Sequence, residues 1–312
     1  MESPMESSYV YTRFLANFFL LGTLALGGCQ PDTPMNGPRS LVTVEWLSQN
    51  ADDPTVVPIH VGSEDRFNEE HFPGARYLGY GEFMIRADSV TGLRNELAAP
   101  DVIRDKLESI GVSDDSKIVV YSDNERTLFA TRFLFTLDYL GLGEQSFLLD
   151  GGLLAWKAAG HPVTGEQPEM VRGTLTARPV NELAVDAAWI AQRLDTPGYL
   201  LVDARPREQY VGDEEGSDTR QGHIPGAVSI PLTEVFDGSG MIRHVGELDR
   251  LFRNAGFSPG DTVIAYCVTG VLATGVTYAA SQLGYEAVVY DGSMEDWIAD
   301  PARPIEVGTG RR

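Results

Sequence analysis

Cysteine is nearly absent: 312 residues contain two, Cys29 and Cys267. A pair so sparse and so far apart excludes a disulfide framework. Basic side chains are scarce as well, with 24 Lys and Arg against 45 Asp and Glu and a formal net charge of −21. The averaged field repels polyanions, which excludes nucleic acid as a partner. Long apolar runs are missing too. The apolar stretch at residues 14–26 is shorter than the roughly 20 residues a spanning helix needs, although Val10 and Tyr11 bring it closer. Apolar residues at 43% and charged residues at 22% make the mixture of a soluble globular chain rather than a disordered or membrane-spanning one.

What is present begins with length, since 312 residues suit two domains, each with its own core. The N-terminus has a short polar start with Arg13, the apolar stretch, and then Leu26-Gly27-Gly28-Cys29, the layout of a signal peptide over residues 1–28. Small residues before Cys29 resemble the bacterial lipobox, which implies cleavage before Cys29 and its diacylation. The alternative is an uncleaved anchor helix, and either one tethers the folded part to a membrane. Gln30 after Cys29 resembles outer-membrane sorting, which places the protein, exported, on the periplasmic side of the envelope with a lipid anchor as its only membrane contact. Residues 29–40 are rich in Pro and Gly and read as a lipidated spacer.

Beyond the spacer the chain repeats itself. A strand candidate at residues 55–61 precedes His71-Phe72-Pro73-Gly74-Ala75, and one at 199–203 precedes His223-Ile224-Pro225-Gly226-Ala227. Lys117-Ile118-Val119-Val120-Tyr121-Ser122 then matches Thr262-Val263-Ile264-Ala265-Tyr266-Cys267, so Ser122 corresponds to Cys267. A helical pattern follows each, at 128–140 and 273–283. Returning strands lead to Asp150-Gly151-Gly152 with Trp156, and to Asp291-Gly292-Ser293 with Trp297. Strands alternating with helices predict two α/β domains, each a parallel sheet with helices on both faces. The expected boundaries are 41–165 for the first, 166–183 for the linker and 184–306 for the second.

Cys267 falls where a strand ends and a helix begins, the edge at which parallel sheets bind ligands. The loop Val268-Thr269-Gly270-Val271-Leu272 is short, and the following helix is expected to direct free N–H groups at the sulfur and lower its pKa. Gly270 suits a tight cradle of N–H groups. The opposing expectation is a small buried hydrophobe.

Together, Leu201-Val202-Asp203-Ala204-Arg205, Gly222-His223-Ile224-Pro225-Gly226-Ala227 and Cys267-Val268-Thr269-Gly270-Val271-Leu272-Ala273 resemble the two-domain thiosulfate and 3-mercaptopyruvate sulfurtransferases of the rhodanese family. The likeness spans residues 41–305. It implies that Cys267 takes the outer sulfur of a small anionic donor as a persulfide and passes it to a thiol or cyanide acceptor. No metal or organic cofactor is implied. Arg205 matches the family arginine for the donor's anionic end, with a structural ion pair to Asp203 as its alternative; Arg207 and Arg220 are weaker candidates. The donor is expected to contact Val268, Thr269, Gly270, Val271 and Leu272. Thiosulfate-preferring members carry basic residues at the second and third loop positions, and mercaptopyruvate-preferring members carry Gly and then Ser or Thr. Thr269 leans toward mercaptopyruvate, while Val268 matches neither pattern.

The first half lacks this chemistry, since Ser122 forms no persulfide and His60 stands where the second half has Asp203. It reads as a scaffold, from which Arg126 and Arg132 are placed to face an anion in the cleft, with a structural ion pair as the alternative for Arg132. His71 and His223 are expected to fix turns. Rhodanese-like phosphatases need an Arg six residues after the cysteine, and Ala273 stands there. The remaining rival is a persulfide carrier or interaction module without small-molecule turnover.

Overall fold

The computed structural model describes residues 41–122, 127–213 and 220–309. The expected signal segment, Cys29, the spacer and Arg126 lie outside the described residues. Among the described residues no helix is long and apolar enough to cross a membrane.

The first half runs β1 (Leu41–Val42), α1 (Val44–Gln49), β2 (Val56–Val61), α2 (Glu64–Glu69), β3 (Arg76–Leu78), β4 (Met84–Ile85), β5 (Glu96–Leu97), α3 (Pro100–Ser109), β6 (Lys117–Tyr121), α4 (Thr127–Tyr139), β7 (Ser146–Leu149) and α5 (Gly152–Ala158). The second runs β8 (Ala184–Val185), α6 (Ala187–Ala191), β9 (Tyr199–Asp203), α7 (Arg207–Val211), β10 (Val228–Ser229), α8 (Leu232–Val235), α9 (Val245–Asn254), β11 (Thr262–Tyr266), α10 (Ala273–Gln282), β12 (Glu286–Tyr290) and α11 (Ser293–Ala299).

Each half holds a five-stranded sheet, ordered β1-β7-β6-β2-β3 and β8-β12-β11-β9-β10, and every pairing in both is parallel. The order is the same in both, so the sequence repeat is a structural repeat. Continuous apolar runs in β6 and β11 fit central strands covered on both faces. Even the first helices start alike: Thr43 Oγ1 accepts the Trp46 N–H and Asp186 Oδ1 accepts the Trp189 N–H, each filling a helix N-cap.

Two separate apolar clusters cover the outer faces of the sheets, whereas one continuous cluster fills the inner faces of both halves. Helices α4 and α10 pack on each other within it, and the hydroxyls of Thr131 and Thr274 meet at 3.1 Å. Residues 160–183 form little regular structure but are tied to the first half. Thr164 exchanges backbone bonds with His71, Gly173 donates to Glu108, and Arg178 and Val180 donate to Leu140 and Tyr139. Buried Leu175 pins the same stretch.

Strand register equates His60 with Asp203, because each is opposite the last tyrosine of the central strand, Tyr121 or Tyr266. The His60 ring is fully buried among Phe67, Tyr77 and Tyr121, and neither of its nitrogens has a partner among the described residues. A Cβ on Gly62, the position equivalent to Arg205, would lie 2.3 Å from His60 Nε2. The imidazole therefore fills space that in the second half belongs to an ion pair. Burial holds its pKa down at about 4, and the His71 charge adds to the shift. Between the ordinary value of 6.5 and about 4, the unfolded chain takes up a proton that the folded chain refuses. Stability therefore falls as pH drops through that window, by about 3 kcal/mol in all. Denaturant titrations at about pH 7 and about pH 4.5 should show this loss in the wild type and a smaller one in His60→Leu; equal losses would remove His60 as the cause.

Candidate active site

Parallel pairing places three strand ends side by side, with Cys267 after β11, Asp203 at the end of β9 and Asp291 after β12. Cys267 is 1% exposed. Its sulfur faces the backbone N–H groups of Ala273, Thr269 and Leu272, at the start of α10 and in the loop before it. Gly270 makes this curvature possible, with φ at +78°. A Cβ there would strike the Asp291 carbonyl oxygen at 2.6 Å, so any side chain would force the loop out of shape.

The loop is tied to the start of α11. The Cys267 N–H donates to Ser293 Oγ at 3.1 Å, and Ser293 Oγ donates to the Tyr290 carbonyl at 2.7 Å. The Met294 and Glu295 N–H groups in turn donate to the carbonyls of Cys267 and Val268. Ser293 is fully buried and holds φ at +52°, an unfavourable conformation for a side-chain-bearing residue. Its counterpart Gly152 has φ at +53° without that cost.

The expected depression of the thiol pKa is reversed. Burial pushes the Cys267 thiol up, the N–H groups of Ala273, Thr269 and Leu272 pull it back, and the net direction is upward. Desolvation of the thiolate outweighs three amide donors. Burial thus agrees with the small-hydrophobe expectation, while the amide cup agrees with the nucleophile.

Arg205 sits beside the loop but is committed elsewhere. Its Nε donates to Asp203 Oδ1 at 2.9 Å, and its Nη2 to Asp203 Oδ2 at 2.6 Å and to the Gly222 carbonyl at 2.7 Å. Burial opposes its charge, yet Asp203 holds its pKa above the ordinary value. This is the ion-pair alternative to donor binding. Arg220 donates to the carbonyls of Asp300 and Arg303, and Arg207 is exposed on α7. Both turn histidines are held by backbone carbonyls. The Nδ1 of His71 bonds the Phe67 carbonyl at 2.6 Å and that of His223 the Tyr210 carbonyl at 2.8 Å, each ring stacked on the same partner. Within the loop, Val268 is 37% exposed, Thr269 and Leu272 are half-buried, and Gly270 and Val271 are buried.

The first domain contributes side chains that local sequence reasoning missed. Asn95 Nδ2 donates to Thr269 Oγ1 at 3.0 Å, Arg94 Nε to Glu295 Oε1 at 2.7 Å, and the Leu97 N–H to Asp291 Oδ2 at 2.8 Å. Asn95 has φ at +62°, another strained residue at the loop. Arg132 is fully buried, its Nη1 2.6 Å from Asp291 Oδ1, so the structural ion pair is the arrangement found. The contact is reciprocal, since the Ile242 N–H of the second domain is directed at Asp150, the counterpart of Asp291. Beside Ser122 there is a void of about 10 Å³, too small for a donor.

Because the thiolate reacts and the thiol does not, the upward shift fixes the sign of the pH dependence. Site-resolved labelling of Cys267 by iodoacetamide from about pH 6 to about pH 11 should still be rising where free cysteine has levelled off. A plateau below the free-cysteine midpoint would mean that the amide donors outweigh burial.

A family model for the rhodanese-like domain matches this chain twice, at residues 43–159 and 186–300. The chain is 35% identical over 246 residues to a probable 3-mercaptopyruvate sulfurtransferase of Pseudomonas aeruginosa, covering 78% of this chain and 86% of the relative. It is 30% identical to a 3-mercaptopyruvate sulfurtransferase of Escherichia coli, covering 85% and 97%, and 30% identical to a putative thiosulfate sulfurtransferase of Mycobacterium tuberculosis, covering 87% and 92%. Among solved structures it resembles the anaerobic ergothioneine biosynthesis enzyme of Chlorobium limicola, with a TM-score of 0.75 at 23% identity over 86% of this chain and 70% of that one. That likeness is one of fold. With two matched domains that fill most of its length and the parallel α/β architecture of each, the chain belongs to the rhodanese-like domain family.

Proposed function

We propose that the protein is a sulfurtransferase working through a persulfide on Cys267, with a small anionic donor and a thiol or cyanide acceptor. One observation carries the reading: a cysteine sulfur at the end of a parallel strand faces three backbone N–H groups. Such donors stabilise negative charge on a thiolate and on the terminal sulfur of a persulfide alike. In the first half-reaction Cys267 Sγ attacks the donor's outer sulfur. An S–S bond forms, the donor's bond to that sulfur breaks, and the departing fragment keeps the electron pair. In the second, the acceptor attacks the outer sulfur, and Cys267 leaves as thiolate.

A 3-mercaptopyruvate-like donor fits better than thiosulfate. The loop carries Val268 and Thr269 rather than cations, and Arg205, Arg132 and Arg94 are each paired with a carboxylate. A dianion would meet no uncompensated guanidinium among these three. The Thr269 hydroxyl, held by Asn95, is the nearest polar side chain of the loop to offer a carbonyl or carboxylate oxygen. The relative at 35% identity, a probable 3-mercaptopyruvate sulfurtransferase, supports this choice, while relatives at about 30% include sulfurtransferases of both donor classes. Exposed Val268 favours a second reading, in which an apolar loop tip receives a partner protein and Cys267 carries sulfur without small-molecule turnover.

With 3-mercaptopyruvate and excess thiol, a second equivalent of which reduces the acceptor persulfide to sulfide and is itself oxidised to disulfide, the full chain should release sulfide, and Cys267→Ser should fall to the rate without protein. Equal release by the two would remove the persulfide mechanism. A gain of one sulfur on Cys267 without turnover would select the carrier. The proposed lipid anchor has its own test: the wild type should incorporate labelled palmitate and Cys29→Ala should not, and a wild type that takes up no label would point to an uncleaved helix.

A further inference from the structure

Arg132 lies in the first domain, yet its charge is spent on the second. It projects from α4 at full burial, where its Nη2 donates to the Asn95 carbonyl at 2.7 Å and its Nη1 lies 2.6 Å from Asp291 Oδ1. Asp291 also receives the Leu97 N–H. Arg132, Asn95, Leu97 and Asp291 thus close a circuit across the domain boundary, and that circuit touches the cysteine loop at two points. Asn95 holds the Thr269 hydroxyl. A Cβ on Gly270 would lie 3.0 Å from Asp291 Oδ1 and 3.4 Å from Arg132 Nη1, so the ion pair is the wall against which the Gly270 backbone turns.

The hydrogen bonding of this cation is incomplete. Among the described residues Arg132 Nε and Nη1 and Asp291 Oδ1 make no well-directed hydrogen bond, although Nη1 and Oδ1 are in close contact. A buried ion pair with unused donors is a poor device for stability, because desolvation offsets most of the Coulombic gain and an apolar pair would bind the domains as well. Adhesion between the domains is already supplied by the apolar cluster that α4 and α10 share. What the pair adds is a fixed, rigid surface under one glycine of the loop.

We propose that Arg132 is a positioning residue for the Cys267 loop: paired with Asp291, it holds Gly270 and, through Asn95, Thr269, so that the loop N–H groups stay aimed at the sulfur. This deepens the persulfide reading, because the same N–H groups serve thiolate and persulfide. It also gives the first domain a part in the chemistry without any contact with the donor.

Arg132→Lys keeps the positive charge but loses the planar fork that reaches Asn95 and Asp291 together. In the full chain, with folding checked by thermal denaturation, labelling of Cys267 at about pH 7 should slow about tenfold, the cost of one weakened hydrogen bond to a thiolate. Its labelling profile should move to higher pH, and kcat for sulfide release should fall while KM for 3-mercaptopyruvate stays near the wild-type value. A folded Arg132→Lys with an unchanged labelling profile and unchanged kcat would overturn the proposal. Should the lysine variant not fold, Arg132→Met combined with Asp291→Asn removes both charges at once and is read by the same two measurements. Labelling needs no donor, so the two ideas fail separately. A shifted labelling profile alongside sulfide release that survives Cys267→Ser would leave the positioning role intact and remove the persulfide.

Discussion

One apolar core shared by the facing helices of both repeats is the constraint on which everything else rests. Because α4 and α10 are buried against each other, the two sheets cannot be treated as independent bodies, and the β4–β5 arm of the first reaches the loop of the second. The Cys267 loop consequently has walls from two domains. Its backbone is fixed from within by Ser293 and from across the interface by Asn95, Asp291 and Arg132. An isolated second domain would keep Cys267 and lose half of what shapes its surroundings.

The repeat then provides two scaffolds of the same strand order that differ at the positions around the cysteine. Strand order, N-caps, histidine turns and the Asp-Gly corner persist in both halves. The differences cluster at the strand ends. Where the second half has Asp203 and Arg205 as a buried fork, the first has His60 and Gly62, a single neutral ring in the same space. Where the second has Cys267 and Ser293, the first has Ser122 and Gly152, whose φ of +53° costs nothing without a side chain. Strain at Ser293 is kept where a hydroxyl must take the Cys267 N–H, and it is relaxed where no cysteine needs orienting.

The architecture was legible because strands and helices declare themselves locally. The runs ending at Tyr121 and Tyr266, the His-x-Pro-Gly turns and the helices after Ser122 and Cys267 all lie where their patterns put them. Legibility stopped at whatever depends on packing between distant segments. Nothing near Asn95 announces that its side chain meets Thr269, 174 residues away. Arg205 is the sequence's choice for an anion and Arg132 is open between an anion and an ion pair, and only the buried carboxylates facing them show that both are paired. Ser293 was within reach, since aligning Asp150-Gly151-Gly152 with Asp291-Gly292-Ser293 exposes a serine in a glycine position.

The thiol shows why a local motif predicts a tendency and not a net result. A helix start behind a cysteine supplies N–H groups, and those are present. The same packing that aims them removes water from the sulfur, and desolvation acts on the thiolate more strongly than the amides do. For sulfur transfer the two effects need not conflict. A thiolate of higher pKa is intrinsically the better nucleophile once formed, and in a dry cup the proposed persulfide would be shielded from stray thiols. The chemistry then depends on how well the N–H groups are aimed, because they are the term that lowers the cost of ionisation. That places the burden on Gly270 and on the ion pair against which it turns.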